Sequence, residues 1–557
     1  MRRPARADRC VQAEPLGATT GAGLFERAAA TWPDAPAVHY FDDSLSFGEL
    51  RELAHALAAG LRGLGVEPGD RVALLLQNVP QFVYALHACW LLGAVVTPLS
   101  PLLRSRELAH QLADSGARAV ICLDSLHAEL VAALPGTAVE HVIATSALEH
   151  TSQRAGPLAG SAPVACPGAS DLAGLVARHG GARSEPHPTA PGNPALLTYT
   201  SGTTGPPKGA INTHANLCAA AGIYHAWADL GPGDTVLGLA PLFHITGLTA
   251  HVGCAAAAGS PLVLLYRFDA REVLRLVERH RATFTVGPLT AFIALLDHPD
   301  SATRDLSSLT KAMSGGAPVL PAVADRFERA TGHLLHNVYG LTESTGPSHL
   351  TPIGARGPVD AESGALAVGV PASGVECRIV DLETGADVAT GEIGELLLRG
   401  ATVVPGYWNQ PEETAHALRG GWLHTGDVGK RDDAGWFYLV DRAKDMIVAS
   451  GYKVWPREVE DALCEHPAVA EASVVGVPDS YRGETVKAFV RLRPGAAATA
   501  EELIAHCRRL KASYKAPRLV ELVEALPTTA SGKVLRRELR ERHAAGGPPT
   551  TGGAPPT

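Results

Sequence analysis

Residues 199–209 read YTSGTTGPPKG, and this stretch is the most informative part of the chain. From Thr200 onward it combines hydroxyl groups, glycines and one lysine, Lys208, without any large apolar side chain. Glycine lets a backbone approach an anion closely, hydroxyl groups donate further hydrogen bonds, and a lysine supplies positive charge. The stretch therefore predicts a phosphate-binding loop, although a solvated turn has a similar composition.

This loop differs from the Walker A motif, because two prolines precede its lysine and a glycine follows it. Residues 195–198 (ALLT) before it predict a strand. A phosphate loop that directly follows a strand is the usual ligand position of α/β folds. The pattern thus indicates a nucleotide-binding α/β protein of another class than the Walker A proteins.

The rest of the chain repeats this alternation of helix and strand. Residues 49–64 and 80–92 predict helices around a strand at 71–75, and residues 235–339 form a second unit with a helix at 271–280 and a strand at 283–286. Alternating strands and helices predict parallel, doubly wound sheets. Residues 157–194, rich in Pro, Gly, Ala and Ser, predict mostly loop.

Beyond residue 368 the pattern changes to short β-rich runs, at 375–380 and 394–398, which predict a small antiparallel barrel. Past residue 441 we expect a compact α/β unit, with helices at 456–464 and 500–510 and strands at 471–475 and 487–492. The expected fold is α/β: a large N-terminal domain of two doubly wound subdomains plus the barrel, followed by a small mobile C-terminal domain. The expected bounds are a flexible N-terminus at 1–20, domains at 21–443 and 444–540, and a disordered tail at 541–557.

Composition limits the function classes. The chain has 557 residues, of which 46% are hydrophobic, and a formal net charge of −9, which argues against a nucleic-acid-binding surface. Its nine cysteines show no C-x-x-C pair, so neither a disulfide framework nor a zinc site is predicted. The basic N-terminus lacks an apolar signal-peptide core, and the longest apolar run, 82–96, is too short to cross a bilayer. These features predict a cytoplasmic protein without a transmembrane segment.

Five further motifs follow the loop in a fixed order. They are residues 241–244 (PLFH), 339–344 (YGLTES), 422–427 (WLHTGD), 441–445 (DRAKD) and 531–537 (SGKVLRR). Together the six resemble the adenylate-forming superfamily of acyl-CoA synthetases, luciferases and peptide-synthetase adenylation domains. The resemblance runs from about residue 25 to about residue 539, and residues 440–460 are most similar to bacterial fatty acyl-CoA synthetases.

The resemblance implies an enzyme that uses ATP, Mg²⁺ and coenzyme A to activate a carboxylic acid. A carboxylate does not react with a thiol until one of its oxygens becomes a leaving group, and adenylation makes that leaving group. By resemblance, the β- and γ-phosphates are held by Thr200, Ser201, Gly202, Thr203, Thr204 and Lys208. Thr342 contacts the α-phosphate, and Glu343 binds Mg²⁺ together with Thr203.

Other implied roles lie outside the phosphate loop. The resemblance places Gly316 beside the adenine, His244 beside the acyl carboxylate, and Asp427 and Arg442 on the ribose. Lys533 bridges the carboxylate and the α-phosphate, and Lys444 is a hinge that turns the small domain between the two half-reactions. Residues Ser450, Gly451 and Tyr452 then line the pantetheine tunnel.

Each of these residue types also has an ordinary structural use. Taken alone, Glu343 would be a surface carboxylate, Asp427 a turn residue and His244 a packed core histidine. Their places within the ordered motifs favour function. The small residues 253–259 either line an acyl tunnel or allow close helix packing.

The acceptor thiol is that of coenzyme A or that of the phosphopantetheine of an acyl carrier protein. The sequence does not decide between them, since both present the same thiol-bearing arm. A non-catalytic adenylate-binding paralogue is a third reading, against which Glu343, Asp427, Lys444 and Lys533 count. Val448 and Ser450 stand where plant aryl-CoA ligases have lysines, which weakens an aryl-acid assignment.

Overall fold

The computed structural model describes residues 13, 16–153, 156–200, 206–317, 319–361, 363–442, 445–449, 452–479, 483–528 and 534–544. Contacts divide the chain into two units. The first unit comprises 1–357, 368–376 and 398–423, and the second comprises 358–367, 377–397 and 424–557. The domain bounds at 20, 443 and 540 stay a prediction. Of the expected disordered tail at 541–557, residues 541–544 are helical, as the end of the helix Arg536–Ala544, and the remainder lies outside the described residues.

The first unit contains a seven-stranded sheet. Its strands lie in the order Ser170–Asp171, His141–Thr145, Ala117–Leu123, Arg71–Leu75, Val95–Pro98, Pro194–Tyr199 and Gly209–Thr213. All neighbours are parallel except the last pair, which forms an antiparallel hairpin. The helices of this part are Gly21–Thr31, Phe47–Gly63, Pro80–Leu92, Ser105–Ser115, His127–Ala133, Leu172–Arg178 and His214–Trp227.

The helix Pro80–Leu92 is buried along its whole length. Pro80 opens the helix, where a missing N–H costs nothing, and Gly93 ends it with a φ of 75°. Its predicted bounds are confirmed, as are those of the strand Arg71–Leu75. The helix has 13 residues, too few to cross a bilayer, and its burial along the whole length places it in the core.

The first unit also contains a nine-stranded sheet. Its strands lie in the order Val370–Pro371, Gly346–Leu350, His336–Leu341, Lys311–Gly315, Phe284–Pro288, Val236–Leu237, Leu262–Leu264, Pro36–Tyr40 and Asp43–Ser46. The central strands pair in parallel, and antiparallel strands cover both edges. The accompanying helices are Gly247–Gly253 (a π-helix), Cys254–Ala258, Ala270–His280, Leu289–Asp297, Pro321–Thr331 and Pro411–Ala417. The two predicted doubly wound sheets are thereby confirmed.

The region 157–194 is mostly loop, as expected, but it also contains the helix Leu172–Arg178, which Asp171 caps. Leu175 of this helix packs closely on Gly60, because a Cβ added to Gly60 would lie 2.7 Å from the Leu175 side chain. One expectation needs correction. The expected barrel is a four-stranded sheet in the order Val375–Val380, Gly394–Gly400, Leu423–Arg431 and Phe437–Arg442. Among the described strands this order is open rather than closed into a ring.

The C-terminal part of the second unit is a compact α/β structure, as expected. Its sheet has the order Tyr452–Val454, Ile447–Ala449, Gly483–Leu492 and Val469–Asp479, and Leu519–Leu522 pairs in parallel with Gly483–Leu492. The helices are Pro456–Cys464, Ala500–Leu510 and Arg536–Ala544. Within the described part of the chain, no helix has the length and apolar character needed to cross a membrane.

Candidate active site

The described ends of the predicted phosphate loop belong to two antiparallel strands that pair with each other. Tyr199 pairs with Gly209, and the loop is closed at its base by two hydrogen bonds between Thr200 and Lys208. The Thr200 N–H donates to the Lys208 carbonyl over 2.9 Å, and the Lys208 N–H donates to Thr200 Oγ1 over 3.2 Å. These bonds fix both ends of the loop. The expected ligands Ser201, Gly202, Thr203 and Thr204 lie outside the described residues.

Lys208 extends from this hairpin toward two residues of a distant segment. Its ammonium lies 5.2 Å from the centre of the Tyr407 ring and pairs with the Glu413 carboxylate. The bond to Lys208 holds the pKa of Glu413 below its usual value. The side chain of Lys208 is 24% exposed, so its charge remains accessible to an anion.

Thr342 and Glu343 form a short turn that follows the strand His336–Leu341. Gly340 permits this turn, because a Cβ on it would lie 1.7 Å from the carbonyl oxygen of Gly346 on the returning strand. The turn ends at Thr345, whose φ of 50° is unusual for a β-branched residue. Such strain persists where the surroundings fix the backbone, and it is frequent at functional sites.

Two side chains connect this turn to the rest of the site. Asn212 Nδ2, from the strand after the phosphate loop, donates to the Thr342 carbonyl over 3.1 Å and to Thr345 Oγ1 over 2.9 Å. The Tyr407 hydroxyl donates to Glu343 Oε1 over 2.8 Å. Burial and the Glu343 charge raise the pKa of Tyr407, so its phenol keeps its proton and acts as a donor. Lys208, Tyr407 and Glu343 therefore form one connected cluster with Thr342.

The strand neighbouring this turn ends in two glycines with distinct requirements. At Gly315 a Cβ would lie 2.9 Å from the Val338 carbonyl oxygen, so the adjacent strand excludes a side chain. At Gly316 the surroundings are open, but the φ of 79° favours glycine. Both glycines lie at the carboxyl end of a parallel strand, which is where α/β sheets bind ligands.

His244 lies in a loop held by Asn78. Asn78 Nδ2 donates to the carbonyls of Gly238 and Ala240, over 3.1 and 3.2 Å, and its Oδ1 accepts from the Leu242 N–H over 2.8 Å. His244 is half-buried, and its Nδ1 accepts from the Thr246 N–H over 3.3 Å. The π-helix Gly247–Gly253 begins directly after this loop, and π-helical turns are frequent at functional sites.

The predicted ribose ligands lie in the second unit and pair with each other. Asp427 and Arg442 face each other on adjacent antiparallel strands, with Arg442 Nε 3.0 Å from Asp427 Oδ1. Glu395 supports this corner, because its carboxylate accepts from the Gly426 N–H over 3.0 Å and bonds His424 Nδ1 over 2.9 Å. The pair offers a carboxylate acceptor and a guanidinium donor side by side, and hydroxyl groups can bond to either.

Several expected residues are outside the described part of the chain. They are the hinge Lys444, Ser450 and Gly451 of the pantetheine tunnel, the side chain of Tyr452, and Lys533. Their assignments, like those of the described site residues, stay predictions. Sequence reasoning also missed four supporting residues: Asn78, Asn212, Glu395 and Tyr407. Only Tyr407 had a visible signal, as the aromatic pair Tyr407-Trp408 follows a glycine just after a predicted β-rich run.

Comparison with known proteins assigns the chain to a family. The model of the AMP-binding enzyme family matches residues 25–408, and the model of the AMP-binding enzyme C-terminal domain matches residues 458–533. The chain belongs to the AMP-binding enzyme family. The first match contains Lys208, Thr342, Glu343 and Tyr407, so the described cluster lies within the matched region.

Individual relatives resemble the chain over nearly its whole length. A long-chain-fatty-acid–CoA ligase of Bacillus subtilis (strain 168) is 38% identical over 538 residues, covering 95% of each chain. A feruloyl-CoA synthase of an Amycolatopsis species is 38% identical over 516 residues, covering 93% of this chain and 97% of its own. The crystal structure of the anthranilate CoA ligase AuaEII in complex with anthranoyl-AMP aligns with a TM-score of 0.85 at 28% identity, covering 94% of this chain and 98% of that one.

Proposed function

We propose that the protein is an ATP-dependent acid–thiol ligase that adenylates a fatty or similar carboxylic acid and transfers the acyl group to coenzyme A. The observation that carries this proposal is the cluster of Lys208, Tyr407, Glu343 and Thr342 at the carboxyl edge of the parallel sheets. It combines a cation, hydroxyl groups and a carboxylate around a glycine-rich loop. The family match and the names of the relatives support the same reaction.

The reaction proceeds in two balanced steps. A carboxylate oxygen attacks the α-phosphorus of ATP and forms a new phosphorus–oxygen bond. The bond between the α-phosphorus and the oxygen that bridges to the β-phosphate breaks, and pyrophosphate leaves with that electron pair. The thiolate of coenzyme A then attacks the acyl carbon, the carbon–oxygen bond to AMP breaks, and AMP leaves. Negative charge accumulates on phosphoryl oxygens in the first step, so preorganised positive groups contribute most there.

The described residues suit the first step. Lys208 binds the β- and γ-phosphates at the mouth of the loop, and the Thr342 hydroxyl lies at the turn that faces the α-phosphate. Glu343 provides the oxygen ligand that Mg²⁺ prefers, and Tyr407 fixes that carboxylate by hydrogen bonding. When bound, Mg²⁺ would neutralise phosphate charge. Asp427 and Arg442 bind the ribose, Gly316 leaves room for adenine, and His244 lies beside the acid.

The later step depends on the C-terminal residues. Lys533 acts during adenylation, Lys444 is the hinge, and Ser450, Gly451 and Tyr452 line the path of the thiol. Coenzyme A is the preferred acceptor because the relatives named above are CoA ligases or synthases. The alternative acceptor is the phosphopantetheine of an acyl carrier protein. The cytoplasmic location stays a prediction.

A fatty acid is the first substrate to test, since the Bacillus relative is named for long-chain fatty acids. The feruloyl and anthranilate names of other relatives extend the test to aromatic acids. We expect acid-dependent release of pyrophosphate from ATP with one class of acid in such a panel. Mass spectrometry of the product with coenzyme A or with a carrier protein then identifies the acceptor. Absence of acid-dependent pyrophosphate with every acid would refute the proposed function.

A further inference from the structure

Lys208, the predicted phosphate ligand, forms an ion pair with Glu413. Glu413 lies in the first turn of the helix Pro411–Ala417, and its carboxylate accepts a hydrogen bond from the Lys208 ammonium. This bond holds the pKa of Glu413 below its usual value, so the carboxylate is charged at neutral pH. The polyphosphate of ATP is also an anion. The carboxylate and the expected ligand therefore use the same ammonium group.

Hydrogen bonds hold the segment that carries Glu413 against the strand that follows the phosphate loop. The Trp408 N–H donates to the carbonyl of Gly209, the first residue of that strand, over 2.7 Å. The Tyr407 N–H donates over 2.9 Å to Oγ1 of Thr414, which directly follows Glu413 in the helix. The backbone itself thus brings the carboxylate close to Lys208, and the contact does not depend on two flexible side chains alone.

The position of Lys208 does not depend on Glu413. The two hydrogen bonds between Thr200 and Lys208 fix the backbone at its base, over 2.9 and 3.2 Å. Its ammonium lies 5.2 Å from the centre of the Tyr407 ring, and an aromatic ring attracts a cation at this distance. Removal of the Glu413 carboxylate would therefore leave the ammonium at the same place with one anionic partner fewer.

We propose that Glu413 competes with the β- and γ-phosphates of ATP for Lys208, and that this ion pair lowers the affinity of the free enzyme for MgATP. The inference rests on the proposed function, in which Lys208 binds those phosphates. When they arrive, the carboxylate either leaves the ammonium or repels the phosphates beside it, and both outcomes cost binding free energy. AMP lacks these two phosphates, so its affinity does not depend on Glu413.

Glu412 provides a matched control. It is exposed and directly precedes Glu413 in the same first turn, whereas the carboxylate that pairs with Lys208 is that of Glu413. Glu412→Ala and Glu413→Ala each remove one negative charge from the same end of the helix, and alanine has the highest helix propensity. Alanine also leaves no side-chain oxygen that could accept from Lys208. Burial and the Glu343 charge raise the pKa of Tyr407 more than Glu413 does, so the phenol stays protonated in both variants.

Equilibrium binding of MgATP and of AMP to the full-length proteins, without a carboxylic acid, tests the inference. We expect Glu413→Ala to bind MgATP about two- to five-fold more tightly than the wild type, the range expected for a partly exposed ion pair, and to bind AMP with unchanged affinity. Glu412→Ala should bind both ligands like the wild type. The gain of Glu413→Ala should shrink between about 0.05 M and about 0.5 M salt, because salt screens exposed charges.

The direction of the change separates competition from structural support. If Glu413 only stabilised the site, its loss would weaken the binding of MgATP, whereas competition predicts tighter binding. Weaker or unchanged binding of MgATP to Glu413→Ala, an equal gain in Glu412→Ala, or an equal gain for AMP would each overturn the inference. A wild-type protein that binds no MgATP, or that releases no pyrophosphate with any acid, would instead reject the proposed function before any variant is compared.

Discussion

Tyr407→Phe is the most informative single substitution in the phosphate site, because it removes one hydrogen bond and little else. The Tyr407 hydroxyl donates to Glu343 over 2.8 Å, whereas its ring, 5.2 Å from the Lys208 ammonium, is retained in phenylalanine. A hydrogen bond to a charged group contributes about 1.5–3 kcal/mol, which corresponds to roughly ten- to hundred-fold in rate if the transition state depends on it. We expect a loss near the lower end, because a freed Glu343 could still reach the proposed Mg²⁺.

The assay is acid-dependent pyrophosphate release at varied MgATP. Burial and the Glu343 charge raise the pKa of Tyr407, so the wild-type phenol stays protonated between about pH 6 and about pH 9, below the ordinary tyrosine pKa. The ratio of the Tyr407→Phe rate to the wild-type rate should therefore stay constant over this range. The double variant with Glu343→Ala should lose less than the sum of the two single losses, since both single substitutions remove the same contact. Wild-type rates for Tyr407→Phe, or fully additive losses, would refute the role assigned to this contact.

Three further predictions follow from the described packing and the proposed roles. Lys533→Ala should abolish acyl-AMP formation and spare thioester formation from supplied acyl-AMP, and equal loss in both assays would reject its role. Gly451→Leu should preserve pyrophosphate release and stop thioester formation, and a normal thioester rate would reject the tunnel assignment. Ala256 packs against Leu24, so Ala256→Phe should lower the free energy of unfolding by about 1–3 kcal/mol, measured by denaturant titration, without changing the chain-length preference. A shift toward shorter acids would show instead that this run lines the acyl tunnel.

Local signals explain which elements could be predicted. The helix Pro80–Leu92 has a proline at its start and a glycine directly after its end, and its bounds followed from these residues. The strand predicted at 471–475 extends over Val469–Asp479, because its length is set by pairing with Gly483–Leu492 rather than by its own residues. The helix Leu172–Arg178 was missed although Asp171 is a local capping signal, because the helix has only seven residues and depends on packing against Gly60.

The residues of the candidate site likewise divide into those with a local sequence signal and those without one. Lys208, Thr342 and Glu343 stand in short motifs, so sequence alone could propose them. Tyr407 lies 64 residues from Glu343, and only the folded chain shows that the two form a hydrogen bond. Asn78 is likewise 164 residues from Leu242, which it bonds. Side chains that support a site from a distance carry no local pattern, because their role depends on tertiary contacts alone.

The path of the carboxylate oxygen tests the adenylation mechanism most directly. The protein would be incubated with ATP, Mg²⁺, coenzyme A and a fatty acid labelled with ¹⁸O in both carboxylate positions, and the released AMP would be analysed by mass spectrometry. If the carboxylate attacks the α-phosphorus, one labelled oxygen stays on the phosphate when the thiol displaces AMP, so the AMP carries a single ¹⁸O. Unlabelled AMP, or ADP together with labelled inorganic phosphate, would contradict the proposed acyl-adenylate intermediate.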